Sequence, residues 1–231
     1  VRAARHGVDV LISSGMSSMA DVETGLGALA FGYTAPAADR PGPAAFSAAL
    51  VSAEGRDALK RKVGLFHCTS NYPAKLSDVN LRSMATLAGA FDVDVGYSDH
   101  TEGSTVAIAS VALGARMIEK HLTLDRTLPG PDHAASLNPA EFGELVRAIR
   151  DTETILGHGW KVPCPAELDT QRVARKSLVV AEDIRAGEVF TEENLTVKRP
   201  GTGMPPARYW DMLGRTASRD YQADDVLDLL P

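Results

Sequence analysis

Cysteine is scarce in this chain. Cys68 and Cys164 are the only two, which excludes a disulfide framework and makes a reduced, cytoplasmic protein the expectation. Long apolar runs are missing as well. None approaches the roughly 18–20 residues of a membrane-spanning helix, and no stretch has the pattern of a signal peptide, so no membrane partner is expected. Positive charge is also in deficit: Lys and Arg number 24 against 30 Asp and Glu, a net charge of −6. That balance argues against nucleic acid or an anionic membrane surface as the main partner. Internal repeats and low-complexity tracts are absent. What is present is an ordinary globular composition, 44% hydrophobic and 23% charged. A length of 231 residues suits one large domain, or a medium domain with a small one.

Two short apolar runs, each ending in a histidine, organise the rest. Asp94-Val-Gly-Tyr-Ser98 reads as a buried strand whose polar end, Ser98-Asp-His-Thr101, hands over to a helix. Val106 to Leu113 has the Ala, Val, Ile and Leu content of a helix packed on a sheet. Gly114 closes that helix, and Ala115 to Ile118 starts a second strand with Glu119, Lys120 and His121 at its far end. Strand, helix, strand places both histidines at carboxyl ends of parallel strands, where barrels of this kind build their sites. Two imidazoles so placed can share one divalent metal and leave positions for water or substrate oxygens. Separate capping or hydrogen bonding by each histidine is the other reading of the same residues.

Upstream, Val1 to His6 reads as the tail of a helix with Gly7 behind it, and Val8 to Ile12 as a strand ending in Ser13-Ser-Gly-Met16. Ser18-Met-Ala-Asp21 has the form of a capping box. From Gly32 to about Gly55 the composition shifts to Ala, Pro and Gly, and a surface loop is expected. Val63 to Cys68 reads as the next strand, with His67 a core histidine, and Leu81 to Ala90 as a helix. Pro129-Gly-Pro-Asp132 fixes a rigid loop that leaves Asp132 at the mouth of the barrel. Asn138-Pro139 opens a last helix with Phe142, Leu145, Val146 and Ile149 at helical spacing. Residues 151–176 read as a linker. Beyond it, Ser177 to Val180, Glu188 to Phe190 and Leu195 to Val197 read as short strands of a small β-rich module over 177–231.

Gly96-Tyr-Ser-Asp-His-Thr101, Ile118-Glu-Lys-His121, Pro129-Gly-Pro-Asp132 and, near the end, Val197-Lys-Arg-Pro-Gly-Thr-Gly203 occur in an order and spacing that resemble the N-acetylneuraminate (sialic acid) synthase family. The resemblance covers most of the chain. It implies an α/β fold: residues 1–150 as the carboxyl half of a (β/α)8 barrel, strands five to eight, followed by a small β-rich, antifreeze-like SAF domain of the β-clip kind. The first four strands, with the cations that complete the phosphate site, would lie upstream of Val1, and the 231 residues alone are expected to lack synthase activity. The implied reaction condenses phosphoenolpyruvate with an N-acetylated amino sugar and water. Residue by residue, the family pattern makes His100 and His121 ligands of Mn2+ or Mg2+. It sets Ser13, Ser70 and Ser98 on phosphate or carboxylate, and Tyr72 and Asp132 on the sugar, these two with Arg199 being the catalytic candidates. Arg199 would reach the sugar from the SAF domain of a domain-swapped homodimer, although the residues by themselves favour a solvated turn at Lys198-Arg-Pro-Gly201. A related product, legionaminate or pseudaminate, and a non-catalytic carbohydrate-binding fragment are the alternatives.

Overall fold

Four apolar runs become one parallel sheet. In the structure, a computed structural model describing residues 1–228, a short helix α1 (Arg2–Arg5) precedes strand β1 (Val10–Ser13). Helices α2 (Met19–Thr34), α3 (Pro43–Val51) and α4 (Ala53–Lys62) lead to β2 (Val63–Cys68). Then come α5 (Arg82–Phe91), β3 (Asp94–Asp99), α6 (Thr105–Ala112), β4 (Ile118–Lys120) and α7 (Pro139–Leu156). The strands lie in chain order and every pair is parallel. Helical crossovers between neighbouring parallel strands make this a half-barrel arrangement.

One face of the sheet carries the core. Leu26, Leu29 and Ala30 of α2, Leu59 of α4, and Met84 and Leu87 of α5 pack with Leu65, Val95 and Tyr97. The register fixes what faces the other way: Ser13 beside Phe66 beside Gly96, and Cys68 beside Ser98 beside Glu119. That face is partly open, and Leu11 on it is 62% exposed.

The stretch from Gly32 to Gly55 is not the expected surface loop. Only residues 35–42 and Ser52 are irregular; α2 runs on to Thr34, and α3 and α4 fill the remainder. Pro43 stands in the first turn of α3, where its missing N–H costs nothing. The small residues serve close packing: a Cβ on Gly55 would lie 1.9 Å from the Ala49 carbonyl oxygen. The strand read as starting at Ala115, with Glu119 to His121 at its far end, is regular at Ile118–Lys120, and Arg116 N and Met117 O already bond β3 ahead of it. Helix α7 runs past residue 150 to Leu156, and the stretch read as linker contains α8 (Leu168–Ala174).

The chain divides into two compact units, the second starting at Gly159. In it β5 (Ser177–Val180) pairs antiparallel with β6 (Leu195–Lys198), and a short helix α9 (Tyr209–Met212) follows. Leu178, Val180, Ile184, Phe190, Leu195, Met212 and Leu227 close its core. Glu188 to Phe190 is not a strand: Val189 makes one isolated bridge to Thr216. The Phe190 backbone instead bonds Arg215 and Gly214, so pairing ends within a residue. Among the described residues no helix is long and apolar enough to cross a membrane.

Candidate active site at the strand ends

β3 and β4 run out in Ser98-Asp99 and Glu119-Lys120, each directly followed by a histidine, His100 or His121, and parallel register sets Ser98 against Glu119 and Asp99 against Lys120. Each rung is chemically complementary. Ser98 Oγ donates to Glu119 Oε1 at 2.6 Å. Lys120 Nζ donates to Asp99 Oδ2 at 3.0 Å, with side-chain exposures of only 1% and 0%. The ladder stops there, and the rings of His100 and His121 follow edge-to-face, 5.4 Å between centroids.

The nitrogens of His100 have distinct partners. Nδ1 lies 2.8 Å from the Thr69 carbonyl oxygen. A carbonyl only accepts, so Nδ1 carries the proton and the neutral ring keeps its lone pair on Nε2. Ser98 Oγ stands 3.3 Å from that Nε2, but its proton is directed at Glu119. This is how a metal-binding imidazole is commonly held: the far nitrogen anchored to a carbonyl and the near one unprotonated. Tyr72 stacks beside the pair, its ring centroid 4.2 Å from His100 and 5.7 Å from His121. Asp132 Oδ2 is 3.8 Å from His121 Nδ1. Tyr72, His100, His121 and Asp132 thus come together, with Pro131 and Ala135, around one small cleft. Among the described residues no cluster of three or more His, Cys, Asp or Glu side chains is arranged to hold a metal. Two imidazoles with oxygens supplied by water or substrate are the donor set on offer, and it suits a divalent cation with open positions.

The three serines divide. Ser98 is buried and its hydroxyl is engaged within the protein. Ser13 and Ser70 are exposed at the ends of β1 and β2. The loops after those strands touch closely, since a Cβ on Gly15 would lie 2.1 Å from Ser70 Oγ. Beside them Cys68 is buried, and burial pushes its thiol pKa up; the Glu119 charge adds to this, against opposing hydrogen bonds from the Gly15 and Ser14 backbone. His67 is a structural histidine, with Nε2 2.8 Å from the Val79 carbonyl oxygen.

Arg199 belongs to the second unit. Its Nε donates to the Ala174 carbonyl at 3.0 Å. The turn after it is pinned rather than loosely solvated. Ser177 Oγ donates to the Pro200 carbonyl at 2.7 Å and accepts from the Gly203 N–H at 2.9 Å. Gly203 has no room for a side chain, a Cβ there falling 2.1 Å from Val226 Cγ1.

Asp99, Lys120, Glu119 and the Thr69 carbonyl were not candidates on sequence grounds. The signal that reveals the first three is the alignment of the two strand ends rung by rung: serine with glutamate, aspartate with lysine, histidine with histidine.

A profile of the NeuB family matches residues 1–161, and a profile of the SAF domain matches residues 175–229. The N,N'-diacetyllegionaminic acid synthase of Campylobacter jejuni is 38% identical over 226 residues, covering 98% of this chain and 60% of that protein. A pseudaminic acid synthase of the same organism is 41% identical over 160 residues, covering 69% of this chain and 46% of that protein. The solved structure of an N-acetylneuraminic acid (sialic acid) synthetase from Leptospira borgpetersenii, in complex with citrate, is 32% identical with a TM-score of 0.54, covering 73% of this chain and 50% of that one. The chain therefore spans about half to three fifths of the length of these relatives.

Proposed function

This chain belongs to the NeuB family and carries a SAF domain behind the family region, and from that premise we propose that the whole protein joins phosphoenolpyruvate to an N-acetylated amino sugar such as N-acetylmannosamine. The enol carbon bonds to the sugar aldehyde carbon, water adds at the neighbouring carbon, and the bond from that carbon to the phosphate oxygen breaks. Three carbons and six give a nine-carbon 2-keto sugar acid and inorganic phosphate. The observation that carries the reading is the meeting of His100, His121, Tyr72 and Asp132 in one cleft at the carboxyl ends of parallel strands.

Each residue has a task that its position allows. His100 and His121 would hold Mn2+ or Mg2+, and the Thr69 carbonyl keeps His100 Nε2 free for it. Bound there, a divalent cation supplies a Lewis acid for the aldehyde oxygen. Tyr72, beside the imidazoles, would face the sugar, and Asp132 offers a carboxylate to a sugar hydroxyl or to the proton of the adding water. Ser13 and Ser70 present hydroxyls for phosphate or carboxylate, while Ser98 acts through Glu119. Positioning of both substrates accounts for much of the rate in such a condensation. Arg199 offers a planar donor fork to an N-acetyl carbonyl or a carboxylate; in our reading it serves the partner chain of a domain-swapped homodimer in the cytoplasm. The same reaction on a different sugar, giving legionaminate or pseudaminate, is the second reading, favoured by relatives that carry those names.

A mixing experiment with the full-length protein tests the proposal. Phosphate release from phosphoenolpyruvate is assayed with N-acetylmannosamine and with the sugar precursors of legionaminate and pseudaminate. His100→Ala and Arg199→Ala should each lose about a hundredfold or more. Mixed as heterodimers, they should regain about a quarter of wild-type activity, because half of the dimers would then have one intact site of two. Full activity of His100→Ala with added manganese would sink the metal assignment. Absence of recovery in verified heterodimers would sink the shared site.

A further inference from the structure

We propose that Asp99 and Lys120 are positioning residues, a buried clamp that sets the separation of His100 and His121; this rests on the reading that the two imidazoles hold a divalent cation. Lysine and aspartate are almost never fully buried unless paired, and here both side chains are within 1% of complete burial. Their position in the ladder is what matters. The Asp99–Lys120 rung is the last one, and each is the residue directly before a histidine. Beyond that rung the backbone does not join the two strand ends. The His100 carbonyl accepts from Ala74 N at 2.9 Å, and the His121 carbonyl accepts from Leu137 N at 3.0 Å, so each histidine is tied sideways to its own loop.

The pair also encloses the His100 backbone. Lys120 Nζ donates to Asp99 on one side of His100 and to the Thr101 carbonyl on the other. Asp99 Oδ1 accepts from Thr101 N at 2.9 Å and from Thr101 Oγ1 at 2.7 Å. One ammonium reaching from the residue before His121 therefore grips both neighbours of His100. An apolar pair of similar volume commonly holds two strands together as well as a buried ion pair does, but it has no directed bonds to fix the residue between its contacts.

The deciding variant is the double substitution Asp99→Asn with Lys120→Met in the full-length protein. Asparagine keeps an acceptor for Thr101 N, methionine replaces the lysine stem, and no unpaired charge is left buried. Mn2+ binding to metal-free protein is measured by calorimetry, thermal stability by melting, and the ring separation by crystallography of variant and wild type. The clamp predicts a melting temperature close to wild type, Mn2+ affinity weaker by about 10–100-fold, and a changed ring separation. A purely structural pair predicts recovered stability with Mn2+ affinity within about twofold of wild type and the rings unmoved, and that result overturns the proposal. If the double variant does not fold, Lys120→Arg takes its place. It keeps the charge but not the length, and unchanged Mn2+ affinity there overturns the clamp equally. If wild-type protein binds no Mn2+, the metal reading falls, and the ring separation alone then decides whether the pair positions the histidines.

Discussion

The two units use polarity in opposite ways. The first buries Ser14, Ser98, Asp99, Thr101, Ser110, Thr123 and Ser136, and among them an ion pair at strand ends. In the second, Ser177 is the buried polar side chain among the described residues, a neutral hydroxyl with both of its bonds made. Its ion pairs, Lys198–Asp224, Arg208–Asp211 and Arg219–Asp228, all lie on the surface. Charge inside the first unit occurs on the last rung of the ladder, directly before His100 and His121. The second unit does nothing comparable in its interior and closes a mainly apolar core instead.

That contrast can be broken by deleting one cation from each unit. Lys120→Met alone should leave Asp99 buried and unpaired and cost about 3–5 kcal/mol. Lys198→Met removes a half-exposed partner and should cost about 1 kcal/mol or less. Urea unfolding of both variants is the measurement, and equal losses would erase the distinction. A smaller effect is expected where the second unit does bury polarity. Ser177→Ala leaves the Pro200 carbonyl and Gly203 N–H without their partner and should cost about 1–3 kcal/mol. If it costs nothing, the turn after Arg199 is not pinned by Ser177.

The smallest effect compares the two thiols. Cys68 is 8% exposed and burial raises its pKa, whereas Cys164 is exposed. A raised folded-state pKa means the folded Cys68 keeps its proton while the unfolded thiol, near 8.5, ionises. The stabilisation is fully present below that value and is lost as pH rises through the folded pKa. Alkylation of native protein at pH 8.5 should therefore be on the order of tenfold slower at Cys68 than at Cys164. Mass spectrometry of the labelled peptides reads this directly, and equal rates would mean that the sheet face around Cys68 opens readily.

Much of this was legible in sequence wherever local pattern and tertiary context agree. The runs at β1, β2 and β3 are short, apolar and bounded by polar ends; His100 and His121 directly follow β3 and β4, and Asp132 stands in the loop beyond. The helices around Pro43 and Gly55 were not legible. Alanine, proline and glycine look like a loop when read along the chain, and only packing against Ala49 shows why Gly55 must be small. The setting of Arg199 was out of reach for a related reason. The hydroxyl that holds its turn is Ser177, 23 residues before Pro200, and no local signal couples the two. Glu188 to Phe190 failed because β-propensity was present and a partner ladder was not.

The ladder at the ends of β3 and β4 also acts as a guard against folding errors. Slipping β4 by one residue in one direction would set Glu119 beside Asp99 and Lys120 beside His100, so that two carboxylates face each other and an ammonium meets an imidazole. Slipping it the other way would set Glu119 beside Tyr97, a residue of the apolar core, and leave Lys120 beside Ser98. Either slip also turns every side chain of the strand to the wrong face of the sheet. The regular strand is only three residues long, Ile118–Lys120, with two further backbone bonds to β3 at Arg116 N and Met117 O. The residue types on its last rungs add to those bonds in favouring the native register over either slip.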